Sequence, residues 1–351
     1  MLGWYLLMGA LALMVTVLLF GFVGCYAEVE LSDVSGDYAN AVEATSDLVA
    51  YWRLGEPDAT PVPSSGGMAK DEVQDQDGNF HHGDYRLLFP ESSPNDQLHS
   101  AATLGQIKLG VIPGLLEAPG TGVHPQSQIP CIDTDGGYVQ VPWAEELNPT
   151  QFTFEAWISP DPLLDSKYFY CLVESMGPQG LAFKQTGWGL YLGPSDPNDP
   201  DPTAPLFWQV WMGDGNLLNR VAIAKPDFPS PGFNQLRLTY LALTFNGIEK
   251  LQLWLYFPDT GQTLSLDQLQ ALDTPSSPIV FHRNDATPKG QGDFFIGSGS
   301  NLTGIPFSTD RLYPFKGKIQ EVAFYNQDLS EPNNAGVQST LAGHEMAGGN
   351  L

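Results

Sequence analysis

The sequence predicts an all-β protein: a two-sheet antiparallel β-sandwich preceded by one N-terminal transmembrane helix. Three observations carry that expectation. Several segments alternate apolar and polar residues with a period of two. Glycine (37) and proline (29) are abundant while charged residues make up only 16% of the chain. Short strands joined by Gly/Pro-rich turns produce both features. The third observation is an uninterrupted apolar run at the amino terminus. A hydrophobic content of 42% over 351 residues is enough to build a large core, and sandwiches of more than 200 residues commonly form one domain.

The apolar run spans Leu2 to Gly24 without a charged side chain, and the first charge is Glu28. At about 1.5 Å per residue such a helix crosses a hydrocarbon core of roughly 30 Å. With no Lys or Arg before Arg53, orientation rests on the acidic remainder, which suits the exterior. Three fates fit residues 1–26: a retained anchor, a cleaved signal peptide, or a lipoprotein signal lipidated at Cys25, which follows Phe22-Val23-Gly24,. Residues 27–46 read as an acidic juxtamembrane linker.

The β pattern begins at Leu48–Leu54. In Phe152–Ile158 the residues Phe152, Phe154, Ala156 and Ile158 share one face. In Leu206–Met212 the same face holds Leu206, Trp208, Val210 and Met212, and in Leu251–Phe257 it holds Leu251, Leu253, Leu255 and Phe257,. Further strands are expected at Tyr138–Val141, Gly187–Leu192, Gln235–Phe245, Asp293–Ile296 and Lys318–Tyr325. Asn246-Gly247 between two apolar runs signals a hairpin. The stretch from Gly193 to Pro202 is an acidic, proline-punctuated loop that a central strand excludes. One short helix is expected near Leu264–Leu272. The domain therefore spans 47–330, and residues 331–351 read as a flexible tail.

Charge narrows the partners. Fifteen basic against 40 acidic residues give a formal charge of −25, which excludes nucleic acid as a partner. Cys25, Cys131 and Cys171 form no CxxC pair and no zinc spacing,. Cys131 and Cys171 either pair as a disulfide or remain buried thiols, since an exterior location permits oxidation.

Four stretches resemble the laminin-G-like/concanavalin A-like jelly roll, in that family's order. They are Ala50–Glu56 (AYWRLGE), Asp75–Tyr85 (DQDGNFHHGDY), Gly137–Pro142 with Leu147-Asn148-Pro149 and Phe152–Trp157, and Phe294–Gly297 followed by Phe315–Ser330. Together they frame about four-fifths of the chain. Gln320 stands where the family usually has Asp, so no acidic contact carries over there. The resemblance implies a two-sheet sandwich serving adhesion, glycan binding or assembly. Fold alone does not fix which.

Catalytic patterns are missing from the sequence. No Glu-x-Asp-x-Glu strand, Gly-x-Ser-x-Gly, His-Glu-x-x-His or P-loop occurs,. Two binding features stand out instead. Asp75, Asp77 and Asn79 place hard oxygens at alternate positions, as calcium loops do; the other reading is a polar turn capping its own backbone. Trp157, Phe207, Trp211, Trp254 and Tyr256 occupy the faces opposite the predicted core, where exposed rings would stack on sugars. Asn301-Leu302-Thr303 is an N-glycosylation sequon. The expectation is a non-enzymatic, membrane-tethered extracytoplasmic module binding carbohydrate or a protein partner, possessing no cofactor unless Ca2+. The alternative is an accessory subunit, its anchor packed in a membrane complex and its sandwich capping the outer side.

Overall fold

The structure is a computed structural model that describes residues 34–56, 67–86, 106–112, 114–116, 130–176, 186–194, 205–214, 218–223, 236–247, 251–264, 270–271, 293–299, 313–330 and 340–349. In chain order the elements are α1 (Val34–Glu43), β1 (Leu48–Trp52), β2 (Met68–Ala69), β3 (Gly83–Arg86), β4 (Gln106–Val111), β5 (Cys131–Asp135), β6 (Tyr138–Val141), β7 (Phe152–Pro160), β8 (Tyr170–Met176) and β9 (Thr186–Pro194). They continue with β10 (Leu206–Asp214), β11 (Leu218–Ile223), β12 (Thr239–Phe245), β13 (Leu251–Phe257), β14 (Gln262–Leu264), β15 (Gln270–Ala271), β16 (Phe294–Ile296), β17 (Lys316–Tyr325) and α2 (Thr340–Gly349).

All strand pairs are antiparallel. The first sheet runs β14-β13-β12-β7-β17-β5-β4 with β1 also paired to β17, and the second runs β15-β11-β10-β9-β8-β16-β6-β3-β2. This is a two-sheet sandwich consistent with a jelly roll. The alternating segments point as their periodicity dictates. Phe152, Phe154, Ala156 and Ile158 of β7, Leu253 and Leu255 of β13, and Trp208 and Val210 of β10 all enter one core between the sheets. There Trp188 stacks on Phe152 at 4.5 Å and Trp52 on Phe294 at 5.6 Å. Each fully buried large side chain contributes about 1.5–3 kcal/mol. Asn246-Gly247 follows β12, and Phe245 pairs with Leu251 across the hairpin.

Three expectations change. The helix placed at Leu264–Leu272 is strand at both described ends: Leu264 pairs with Leu255, and Gln270–Ala271 pair with β11. Gln270–Ala271 are drawn into the second sheet by backbone bonds that local propensity does not foresee. The linker at 27–46 and the tail at 331–351 each contain a ten-residue helix, α1 and α2. Both lie on the outer face of the first sheet, where Tyr38, Val42 and Leu341 join Tyr51, Trp157, Tyr240 and Tyr325 in a second apolar cluster. Cys131 and Cys171 are buried free thiols, one in each sheet, so they do not form the disulfide. Among the described residues no helix is long and apolar enough to cross a membrane. Residues 2–24, Cys25, the sequon at Asn301 and the loop at 195–202 lie outside the described residues.

Candidate functional site

The five aromatic residues expected to face solvent are distributed over two sheets. Trp157, Trp254 and Tyr256 do lie on the outer face of the first sheet, but the helices cover that face. Trp157 is fully buried, and Trp254 and Tyr256 are half-buried against the second cluster. Phe207 and Trp211 belong to β10 of the other sheet. Phe207 is buried, while Trp211 is half-buried and meets Phe169 edge-on at 6.2 Å.

Beneath the helices sits a polar centre that sequence reasoning missed. Glu155 of β7 is fully buried and accepts the hydroxyls of Tyr240 and of Tyr325, the latter at 2.7 Å. His344 of α2 brings Nδ1 to 3.0 and 3.1 Å from its two carboxylate oxygens. Burial works against a charge on Glu155, but His344 and the three hydrogen bonds outweigh it and hold its carboxyl below the usual range,. Burial likewise opposes the imidazolium, and Glu155 overcomes it, raising His344 above its ordinary value. The two shifts agree on a buried ion pair. Nearby, Glu321 accepts Tyr51 Oη and the Arg53 guanidinium, whose Nη2 lies 3.0 Å away. Burial raises the Glu321 carboxyl despite Arg53. Gln320 accepts the Leu115 N–H at 2.6 Å and so seats the 114–116 segment.

These carboxylates are engaged by tyrosines, arginine and imidazole beneath a covering layer. Of the two, Glu155 reaches α2, through His344. The one large buried apolar side chain of α2 is Leu341, worth about 1.5–3 kcal/mol. Fixing ten residues costs about 1–2 kcal/mol each in backbone entropy, which its helical hydrogen bonds and Leu341 do not offset comfortably. The remaining hold comes from His344–Glu155 and from Glu345, which accepts Trp254 Nε1 at 2.6 Å and Thr263 Oγ1 at 3.3 Å.

The other polar centre lies in the loop from Asp71 to His82. Asp71 is buried and accepts the N–H groups of Tyr51 (2.8 Å), Val73 (3.2 Å) and His81 (2.7 Å), which ties the loop to β1. Trp52 Nε1 adds a bond to the His81 carbonyl at 2.8 Å. Asp75 accepts the N–H groups of Asp77 and Asn79, the Asn79 amide and His81 Nε2. Burial opposes its charge, yet these donors hold its carboxyl below the usual range. The polar-turn reading is thus present. Asp77 and Asn79 contribute N–H donors to Asp75 in this turn. The residues brought together are Asp75, His81 and Glu146, whose ligating atoms lie within 4.8 Å of one another and could hold one metal ion. His81 and Glu146 carried no sequence signal beyond His81's place in the motif, because Glu146 comes from a turn sixty-odd positions away.

Phe80 adjoins this group. Its ring stacks nearly parallel on His82, with centroids 5.2 Å apart and planes at 12°. It is 47% exposed and, among the described residues, the only large aromatic side chain so open.

The strand pairing places the chain among antiparallel β-sandwiches. No family model matches it, and no curated protein does. Solved structures similar to it include the binding domain of botulinum neurotoxin DC in complex with SialylT, with 10% identity, a TM-score of 0.39, and coverage of 81% of this chain and 48% of that one. A mutant Trypanosoma rangeli sialidase displaying trans-sialidase activity gives 16%, 0.39, and 90% against 38%. Ruminococcus gnavus IT-sialidase CBM40 bound to alpha2,3 sialyllactose gives 14%, 0.32, and 52% against 78%. The chain spans half or less of the length of the first two. With every TM-score below 0.5, the architecture rests on the strand pairing of this chain itself.

Proposed function

We infer that the chain is a non-enzymatic, membrane-tethered extracytoplasmic module that binds a carbohydrate or a protein partner at the loop edge around Phe80. The observation carrying this reading is the open Phe80 ring stacked on His82, in a molecule whose other large aromatic side chains, among the described residues, are at least half-buried. A flat apolar face beside polar groups suits the C–H face of a sugar ring or an apolar side chain of a partner. Asp75, His81 and Glu146 beside it would hold a divalent cation, Ca2+ among them, that stiffens the loop,. Trp211 on β10, half-buried, is a second aromatic side chain for the same ligand class. The tether is residues 2–24. The role of an accessory subunit in a membrane complex rests on that same segment.

The test is retention on immobilised polysaccharides, with calcium and with a chelator, for the wild type and for Phe80→Ala. Because Phe80 is exposed, its removal should leave thermal stability within about 0.5 kcal/mol. Retention should drop at least tenfold. Unaltered retention in the variant would remove Phe80 from the site, and indifference to the chelator would remove the cation.

A further inference from the structure

The seating of α2 has a feature the binding reading does not use. His344 meets acceptors on both ring nitrogens. Nδ1 faces the Glu155 carboxylate. Nε2 lies 2.9 Å from Thr45 Oγ1, whose single proton already goes to the Ala41 carbonyl at 2.9 Å. With the Thr45 proton on Ala41, Thr45 accepts from Nε2–H while Nδ1–H faces Glu155, the arrangement of an imidazolium,.

Among the described residues no other group nearby supplies that charge. Glu155 comes from β7, Tyr240 from β12 and Tyr325 from β17, and both tyrosines donate to Glu155. Tyr38 of α1 packs edge-on against the imidazole at 6.3 Å. Tyr51 of β1 gives its proton to Glu321, which Arg53 neutralises. Glu345, one residue on in α2, faces Trp254 and Thr263. Burial, with Glu155 adding to it, drives Tyr38, Tyr240 and Tyr325 far above the ordinary phenol value, so all three stay neutral.

We propose that α2 is a proton-held strap over the aromatic face formed by Trp157, Tyr240, Trp254 and Tyr256, closed while His344 is an imidazolium and released as pH rises. The sign follows from linkage. His344 is raised above its ordinary 6.5 when the strap is closed. Its contribution is complete below 6.5 and is lost as pH climbs from there through the raised value. Glu155 is lowered from 4.5, so its contribution holds above 4.5 and fades as pH falls through the lowered value. Glu345, raised by burial, also favours the closed state less as its proton leaves.

Hydrogen exchange of the full chain, followed by mass spectrometry on the peptide covering Thr340–Gly349, reads the strap directly. After correction for the intrinsic pH dependence of exchange, protection should fall about tenfold per pH unit above 6.5 and then level off. Peptides from β9 should not change. His344→Gln, which keeps a donor for Glu155 but cannot titrate, should flatten the profile. A flat wild-type profile, or an equal slope in His344→Gln, overturns the proposal. Should that variant not fold, nitrogen NMR of the wild-type imidazole decides at about pH 6. Two protonated ring nitrogens support the strap, and one overturns it.

Discussion

Arg53 shows how much a single cation can matter in a chain this acidic. Its guanidinium offers Nε at 3.2 Å and Nη2 at 3.0 Å to one oxygen of Glu321, a carboxylate with no exposed surface. Glu321 also adopts a left-handed backbone (φ 55°), at a bulge where the pairing of β17 with β7 slips between Gln320 and Ala323,. Removing the partner of a buried charge leaves it uncompensated. Arg53→Met should therefore cost about 3–5 kcal/mol in urea unfolding at neutral pH. A loss under about 1 kcal/mol would mean that Tyr51 alone keeps Glu321 satisfied. At this scale the sequence was only half legible. Alternation in β7 puts Glu155 on the same face as Trp157,. Outward, though, meant solvent in the sequence and meant His344 in the fold. Nothing local marks a partner 189 positions away.

Strands whose sequences alternate were legible, β7 among them although both its faces are buried, while β8 was not. β6 and β13 match their expected limits, Tyr138–Val141 and Leu251–Phe257, because alternation survives in their sequences. β8 (YCLVESM) is buried at every residue and carries no period of two,. α2 escaped notice for a different reason: its sequence, TLAGHEMAGG, has almost no apolar stripe,. It is helical because the sheet beneath it supplies partners. Gly348 shows how closely it packs, since a Cβ there would lie 2.5 Å from the Trp157 ring. Gly348→Val should accordingly lift the last turn of α2. We expect faster hydrogen exchange over Thr340–Gly349 with little effect in β9 to β12. Exchange indistinguishable from wild type would show that the helix accommodates the side chain by sliding.

As a whole, the sandwich holds together without a covalent staple among the described residues. Cys131 and Cys171 sit in different sheets, and both are buried. Alkylation mapped by peptide should leave both unmodified in the native protein and label both after unfolding, with no dependence on reductant. A disulfide-linked peptide containing the two would contradict this arrangement. The architecture was readable from the sequence because turn chemistry and alternation act locally. The proposed binding edge was only partly readable: the polar turn at Asp75 was legible, but its approach to Glu146 and the openness of Phe80 depend on how distant loops come to rest.

The pairing of α1 with α2 also bears on how the protein is made. Thr45 and His344, which share a hydrogen bond, are 299 positions apart. At roughly 5–20 residues per second of synthesis, Tyr38 and its neighbours leave the ribosome something like 15–60 seconds before the residues that will cover them. Trp157, Tyr240 and Tyr325 emerge during that interval, and the aromatic face they build with α1 stays incompletely covered until α2 follows. A chain broken off between Tyr325 and Thr340 would therefore hold every strand of the sandwich and lack α2, a ready client for the chaperones that hold apolar surfaces.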